Sequence, residues 1–153
     1  MVWTFHEDEL DRPDVTTLLA LHFSEMRANS PPAACHVLDP DGLRAPGIVF
    51  WSLREDGRLL GVGALKRLAA DHGEVKSMRT APDALGRGAG RAMLRQLIAD
   101  GRRRGFARIS LETGSTADFA AALRLYESEG FVPCGPFGGY LESPFTRFLT
   151  RAI

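Results

Sequence analysis

The chain has few cysteines, no net charge and no long apolar run. Two cysteines among 153 residues, Cys35 and Cys134, make neither a disulfide framework nor metal-ligand spacing, so we expect free thiols and no metal. Nineteen basic and nineteen acidic residues cancel, which argues against nucleic acid or a membrane surface as partner. No apolar run approaches ~18 residues, and the acidic start MVWTFHEDEL does not resemble a signal peptide. The composition predicts one cytoplasmic globular domain over residues 1–153.

The most informative stretch is residues 74–105. A strand-like run ends at Pro82, a loop with three closely spaced glycines follows, and a long amphipathic helix then begins; the glycines are Gly86, Gly88 and Gly90. Glycine lets the backbone approach a ligand closely, and the free N–H groups and dipole of a helix N-terminus favour an anion. The stretch therefore predicts a site for the pyrophosphate of a nucleotide cofactor.

Hydrophobic periodicity and turn signals predict the other elements. Strands are predicted at 2–6, 48–54, 59–68, 74–81, 107–113, 131–134 and 145–151, and helices at 15–28, from 90 to near 105, and before Gly130. Ser115 and Asp118 have the spacing of a capping box for this last helix. The irregular segment 33–46 is either a functional loop or a surface connection. This order predicts a mixed α/β sheet with helices on both faces.

Three features make the chain resemble the GNAT N-acetyltransferases. The segment TAPDALGRGAGRAML is similar to the family's cofactor loop, with Gly88 and Gly90 at its glycine positions and Leu85 where the family has Gln or Arg. LYESEGF at 125–131 is similar to the end of the family's last helix, and the strand 74–81 precedes the loop at the right distance. The segments MRANSPP, EVKSMRT, LETGS and CGPF further resemble the YsnE-type bacterial acetyltransferases, whose substrate is uncertain.

The resemblance implies a fold and a cofactor. The fold is the GNAT fold, a mostly antiparallel sheet of about seven strands with a V-shaped splay between strands 74–81 and 107–113. The splay would admit the pantetheine arm of acetyl-CoA, which pairs with main-chain groups of Met78 and Thr80 as another strand would. The pyrophosphate would bind main-chain N–H groups of the loop and helix start, at Arg87, Gly88, Ala89, Gly90 and Arg91. The side chains of Arg87 and Arg91 either add positive charge there or remain solvated.

The implied activity is transfer of an acetyl group from acetyl-CoA to a primary amine of a small molecule or peptide, by direct attack in a ternary complex. Tyr126 in LYESEGF is the implied general acid. The pKa of a phenol, near ~10, is close enough to the ~8.5 of a thiol for proton transfer to the leaving sulfur. Tyr126 also shares a helix face with Phe119 and Leu123, so a purely structural core tyrosine is the alternative.

Glu74 is the implied general base, because one branch of the family uses a glutamate at this distance from the loop. It lies eleven positions before Leu85. The alternative is a strand-end carboxylate paired with a cation such as Lys76. His36 and His72 are rival bases with suitable intrinsic pKa values.

Basic residues suggest an acceptor that carries a carboxylate. The candidates are Arg79, Lys76, Arg27 and His36, and arginine in particular grips carboxylates through two hydrogen bonds. Strand alternation places Lys76 and Arg79 on opposite faces of the sheet unless a bulge intervenes. In a regular strand, therefore, at most one of them would face the substrate.

Two other functions are open from the sequence. A non-catalytic acyl-CoA-binding module would share the fold. An NAD(P)-dependent oxidoreductase would use the glycine loop, with Glu112 twenty-two positions after Gly90 near the place of a ribose-binding acid. Five residues, 82–86, separate the strand from the turn at Gly88, where the dinucleotide fingerprint needs glycine immediately after the strand, so this second function is disfavoured. A homodimer through the C-terminal strands, common in such folds, is a further open alternative.

Overall fold

A computed structural model describes residues 2–153 as one seven-stranded sheet with three α-helices. The strands are β1 (Trp3–Glu7), β2 (Ile48–Glu55), β3 (Arg58–Ala69), β4 (His72–Thr80), β5 (Arg108–Gly114), β6 (Val132–Pro133) and β7 (Thr146–Ala152). The helices are α1 (Pro13–Ala28), α2 (Ala89–Arg103) and α3 (Ala120–Ser128). The mixed α/β prediction is confirmed, and every predicted strand lies within two residues of its observed bounds. None of the described helices is long and apolar enough to cross a membrane.

The sheet contains one parallel contact. Its strand order is β1-β2-β3-β4-β5-β7-β6, and all neighbours are antiparallel except β4 and β5, which α2 connects. The parallel pair joins His72 to Arg108, Gly73 to Ile109 and Glu74 to Ser110, and pairing ends there. Both strands continue well beyond this point, so they diverge and leave an opening between them. The predicted splay is confirmed.

A bulge interrupts β4 beside this opening. On β3, Val62 and Ala64 are two residues apart, but their partners Arg79 and Lys76 on β4 are three apart. Ser77 takes up the extra residue with a φ of +50°, a left-handed conformation that is uncommon outside glycine. Because cross-strand partners share a face, the bulge puts Lys76 and Arg79 on the same face of the sheet.

Helices α1 and α2 pack on the sheet through apolar residues that recur every three to four positions. Helix α2 buries Met93, Leu94, Leu97 and Ile98, as their 3–4 residue spacing predicts. This helix approaches closely because Gly63 on β3 has no side chain: a Cβ there would lie 2.8 Å from Cγ of Met93. Helix α1 buries Val15, Leu18 and Leu19, and the next position on that face is His22.

The predicted capping box of the last helix is wrong. The Ser115 hydroxyl donates a hydrogen bond to the Pro144 carbonyl, 2.7 Å away, instead of capping a helix. A 3-10 turn at Ala117–Phe119 follows, and α3 begins at Ala120. A serine hydroxyl can bond any main-chain carbonyl within reach, and here the loop before β7 brings the distant Pro144 carbonyl to it.

A buried arginine fixes the start of α1 on the sheet. Arg54 on β2 is 2% exposed and donates hydrogen bonds to both carboxylate oxygens of Asp14, at 2.6 and 3.0 Å. It also donates to Oε1 of Glu9 at 2.8 Å. These bonds hold the pKa of the Asp14 carboxyl below its usual range. The position of α1 thus depends on a charged contact as well as on apolar packing.

We expect Arg54→Met to lower the free energy of unfolding by about 2–4 kcal/mol, because it leaves two carboxylates without their cation at a site that is only partly open to water. Urea denaturation at neutral pH measures the change. Arg58→Met is the matched control, since Arg58 pairs with Asp83 where both side chains are exposed. Equal losses in the two variants would contradict the anchoring role of Arg54.

Candidate functional site

A cavity of about 160 Å³ lies at the splay. Its walls come from α1, the segment after α1, β4, β5, α3 and the start of β7. It brings together four residues that the sequence nominated for different tasks: His36, Glu74, Met78 and Tyr126. Other polar side chains in its lining include His22, Lys76, Ser77 and Glu112. The cavity is therefore a polar site built on the predicted splay.

Tyr126 reaches the cavity from α3. The residue is buried, and its ring meets that of Phe131 edge-on with centroids 6.1 Å apart. Burial raises the pKa of its phenol to about 12. The hydroxyl therefore keeps its proton at neutral pH, and it is a weaker acid than a free phenol.

Glu74 is the last residue of β4 that pairs with β5, and it is 1% exposed. Its Oε2 accepts a hydrogen bond from the Tyr140 hydroxyl at 2.8 Å and lies 3.3 Å from Nζ of Lys76. Its Oε1 has no hydrogen-bond partner. Glu74 is thus paired with Lys76, as the alternative to a base role predicted. It also lines the cavity, and one of its carboxylate oxygens has no partner.

Lys76 and Tyr140 complete this network. Nζ of Lys76 donates to the Tyr140 hydroxyl at 2.7 Å and to the main-chain carbonyl of His36 at 3.1 Å. Burial, together with the charge of Glu74, raises the pKa of the Tyr140 phenol well above its usual value. The lysine therefore links β4 to the segment after α1 and to the glycine-rich loop that carries Tyr140.

The two rival histidines have different surroundings. Nδ1 of His36 lies 2.5 Å from Oε2 of Glu112, and its ring stacks on Tyr140 with centroids 4.5 Å apart. Burial raises the pKa of the Glu112 carboxyl. His72 lies outside the cavity lining, with Nε2 2.7 Å from the buried hydroxyl of Ser110. His36 is the histidine that the structure brings to the site.

The glycine loop meets the N-terminus of α2 beside the end of β4. Gly88 is the residue before the helix and has a φ of +86°, and a Cβ built on it would meet no atom within 4 Å. A Cβ on Gly90 would lie 3.5 Å from Oγ1 of Thr80, so the end of β4 faces the start of the helix. No side chain caps the first N–H groups of α2. Their exposure and the open space above them fit a phosphate group.

The two arginines of this loop are engaged in ion pairs. Arg87 contacts Glu55 at 2.6 Å and Arg91 contacts Glu129 at 2.9 Å. Leu85, at the position where the resemblance would have Gln or Arg, is 67% exposed. The main-chain N–H groups are therefore the unengaged groups of this loop that could bind a phosphate, and the side-chain roles predicted for Arg87 and Arg91 would require these ion pairs to open.

The structure does not bring the two arginines predicted to bind a carboxylate into the cavity. The bulge gives Arg79 the same face as Lys76, but its guanidinium contacts Glu25 of α1 at 2.6 Å. Arg27 is exposed, with its guanidinium 5.4 Å from the centre of the Phe23 ring. Neither arginine lines the cavity.

Sequence reasoning missed three polar residues of this site. Tyr140 was hidden in a glycine-rich loop with no periodicity. His22 had a detectable signal, since it is a histidine on the apolar face of α1, where an imidazole needs a reason to be buried. Ser77 had no signal at all, because a bulge depends on the register of two strands.

Comparisons with known proteins agree with this geometry. The profile of the acetyltransferase (GNAT) family matches residues 13–131. The chain is 44% identical over 146 residues to the uncharacterized N-acetyltransferase YsnE of Bacillus subtilis (strain 168), covering 95% of this chain and 97% of that protein. It is 34% identical over 124 residues to the IAA acetyltransferase of Azospirillum brasilense, covering 80% of each. The predicted resemblance to the YsnE-type acetyltransferases is confirmed.

A solved structure shares the fold. The GNAT family acetyltransferase from Elizabethkingia anophelis, with acetyl-CoA bound, matches with a TM-score of 0.73 at 17% identity. The match covers 99% of this chain and 98% of that one. At this identity the likeness concerns the fold alone.

We expect the stability of the protein to fall between pH 6.5 and pH 4 because of His22. Burial, with a smaller effect from the charge of Arg79, lowers the pKa of this imidazole to about 4, against ~6.5 in the unfolded chain. In this interval the unfolded chain binds a proton that the native protein does not, so the free energy of unfolding decreases as the pH falls, by up to about 3 kcal/mol. His22→Gln should lose correspondingly less stability between pH 7 and pH 4, measured by urea unfolding at both values. Parallel losses in the two proteins would contradict the prediction.

Proposed function

Because the chain belongs to the acetyltransferase (GNAT) family, we propose that it transfers the acetyl group of acetyl-CoA to a primary amine of a small molecule or peptide, by direct attack in a ternary complex. The observation that carries this proposal is that the splay joins three parts of such a site. These are the main-chain cradle at Gly88, the unpaired edge of β4 after Glu74, and the cavity that Tyr126 lines. We further propose one acetyltransferase domain over residues 1–153, acting in the cytoplasm.

The cradle and the strand edge would hold the cofactor. Main-chain N–H groups from Arg87 to Arg91 would bind the pyrophosphate, and main-chain groups of Met78 and Thr80 would pair with the pantetheine arm. The pairing requires that no strand occupy this edge, and β5 pairs with β4 only as far as Glu74. When bound, acetyl-CoA supplies the thioester carbonyl carbon that the amine attacks.

Glu74 and Tyr126 would move the protons of the reaction. Oε1 of Glu74, free of other partners, accepts a proton from the attacking amine. As the bond between the amine nitrogen and the acetyl carbon forms and the bond from that carbon to sulfur breaks, the Tyr126 hydroxyl donates its proton to the leaving sulfur. The products are an N-acetylated amine and the free thiol, and proton exchange with solvent restores both side chains. His36, paired with Glu112, is the alternative base on this site.

The name of the Azospirillum brasilense relative adds a second candidate acceptor. That protein is an IAA acetyltransferase at 34% identity. IAA therefore belongs in the acceptor panel beside the amines, with release of free thiol as the common readout. A non-catalytic acyl-CoA-binding module would bind acetyl-CoA and release no thiol with any acceptor, and an oxidoreductase would bind NAD or NADP instead.

Gly88→Glu should weaken acetyl-CoA binding at least about 10-fold, because it places a carboxylate where the pyrophosphate binds. Isothermal titration calorimetry measures the affinity. Gly57→Glu is the matched control: Gly57 has the same φ of +86°, and a Cβ there also meets nothing within 4 Å, but it lies in the turn between β2 and β3. The backbone strain is then equal and only the location differs. Unchanged affinity in Gly88→Glu, or an equal loss in Gly57→Glu, would contradict the cradle.

Tyr126→Phe should lower kcat by about 10²–10⁴-fold, the usual contribution of a general acid, because the leaving sulfur then receives no proton from the enzyme. The dissociation constant of acetyl-CoA should stay unchanged, since the hydroxyl is not part of the cradle. Steady-state thiol release and calorimetry separate the two quantities. A variant that folds and retains the full kcat would assign Tyr126 to the core.

A further inference from the structure

Unpartnered buried polar atoms concentrate at the cavity. Within residues 2–153, three buried side-chain nitrogen or oxygen atoms have no hydrogen-bond partner: Nδ1 of His22, Oε1 of Glu74 and Oγ of Ser77. All three residues line the same cavity, although they come from two different elements. Buried polar atoms are normally paired, because an unpaired one loses its bonds to water without compensation. Their shared location points to a polar ligand that bonds to them.

The charged side chains of the cavity indicate which charge the ligand carries. Lys76 is the one lysine or arginine in the lining of this cavity, as far as the chain is described. Its ammonium donates hydrogen bonds to the His36 carbonyl and the Tyr140 hydroxyl and forms an ion pair with Oε2 of Glu74 at 3.3 Å. The lining therefore offers a substrate carboxylate no lysine or arginine that is free of an ion pair, and its His36 already pairs with Glu112. The lining contains two carboxylates, those of Glu74 and Glu112.

The chemistry of the three unpartnered atoms narrows the ligand further. A carboxylate oxygen accepts hydrogen bonds and cannot donate one, so Oε1 of Glu74 calls for an N–H or O–H group. The hydroxyl of Ser77 can donate or accept, and a neutral imidazole nitrogen at His22 does one or the other. An amino group on Glu74, with a polar group farther along the molecule, satisfies this set.

Building on the proposed acetyl transfer, we propose that the acceptor is a small primary amine without a carboxylate beside its amino group, bound through an N–H bond to Oε1 of Glu74. His22 and Ser77 hydrogen-bond the polar part of the same molecule. The volume of about 160 Å³ admits about five water-sized groups, so the enclosed part of the acceptor is short. A carboxylate beside the amine would face the Glu74 and Glu112 carboxylates, and the ammonium of Lys76 already pairs with Glu74.

Pairs of acceptors that differ by one carboxylate test this directly. The pairs are cadaverine with lysine, histamine with histidine, and tyramine with tyrosine, each assayed with acetyl-CoA by thiol release. For the best pair, kcat/KM of the amine should exceed that of the amino acid by about 100-fold or more, since the like charges would meet in a poorly solvated site. Equal values, or a preference for an amino acid or for IAA, would overturn the proposal.

Two variants test the individual contacts. Ser77→Gly removes the hydroxyl at a position where glycine accepts the φ of +50°, and it should raise the KM of the amine several-fold with the KM of acetyl-CoA unchanged. Asp56→Gly is its control, because Asp56 has a φ of +49° in an exposed turn outside the cavity.

Glu74→Gln should weaken the binding of the preferred amine at least about 10-fold in calorimetry, a readout independent of catalysis. Unchanged amine binding in Glu74→Gln would overturn the assigned contact.

The same titrations distinguish this proposal from the proposed function. If acetyl-CoA binds but no amine of the three pairs binds or is acetylated, the acceptor proposal is overturned, while the cofactor site stands. If acetyl-CoA does not bind to the folded protein, the transferase function is overturned. Calorimetric titration of the amines into the protein without acetyl-CoA, compared with Glu74→Gln, then still measures whether Glu74 binds the amino group.

Discussion

The parallel pairing of β4 with β5 stops after three residue pairs, and the rest of the site depends on that early stop. Beyond Glu74 the two strands diverge, so one edge of β4 keeps main-chain groups that an extended ligand can pair with. The same divergence opens the cavity between β5, α1 and α3. The bulge at Ser77 lies within this stretch, and it turns Lys76 and Arg79 to one face. The proposed cofactor groove and the proposed acceptor cavity thus both result from the divergence of β4 and β5.

Charged residues are buried at the point where β4 and β5 diverge. An ionised carboxylate is costly to bury unless cations and hydrogen bonds compensate it. For Glu74 the compensation is one-sided, since Lys76 and Tyr140 both contact Oε2 and leave Oε1 free. The glycine-rich loop therefore does more than cover the sheet: through Tyr140 it orients the carboxylate that the proposed reaction uses.

The fold was largely predictable from the sequence, because its signals are local. The 3–4 residue period of α2, the glycines before it and the short turn between β2 and β3 each report on a few neighbouring residues. The glycine loop and Tyr126 were nominated through the family resemblance, from motifs within about ten residues, and their roles stay predictions. Where an outcome depended on a distant partner, local signals failed: Ser115 bonds Pro144 instead of capping α3.

The acceptor side of the site was less predictable for the same reason. Arg79 was nominated for its chemistry, yet Glu25 on α1 pairs with it. The position of Tyr140 depends on the path of its loop, and that of Ser77 depends on the register of β4 against β3. Neither leaves a pattern in a single sequence. The sequence also nominated Glu74, whose role as base stays a prediction, and the environment of its carboxylate, with one oxygen paired and one free, emerges only from the assembled structure.

The departure at Leu85 has a physical explanation in the same assembled structure. Leu85 is exposed, and the nearby guanidinium groups of Arg87 and Arg91 pair with Glu55 and Glu129. In the proposed function, the attraction of the cradle for an anion therefore rests on the N–H groups and dipole at the start of α2, next to Gly88 with its positive φ. We expect a main-chain cradle of this kind to tolerate a side-chain change at position 85 but not a side chain at Gly88. The proposed cofactor site thus depends on the glycines more than on the basic residues around them.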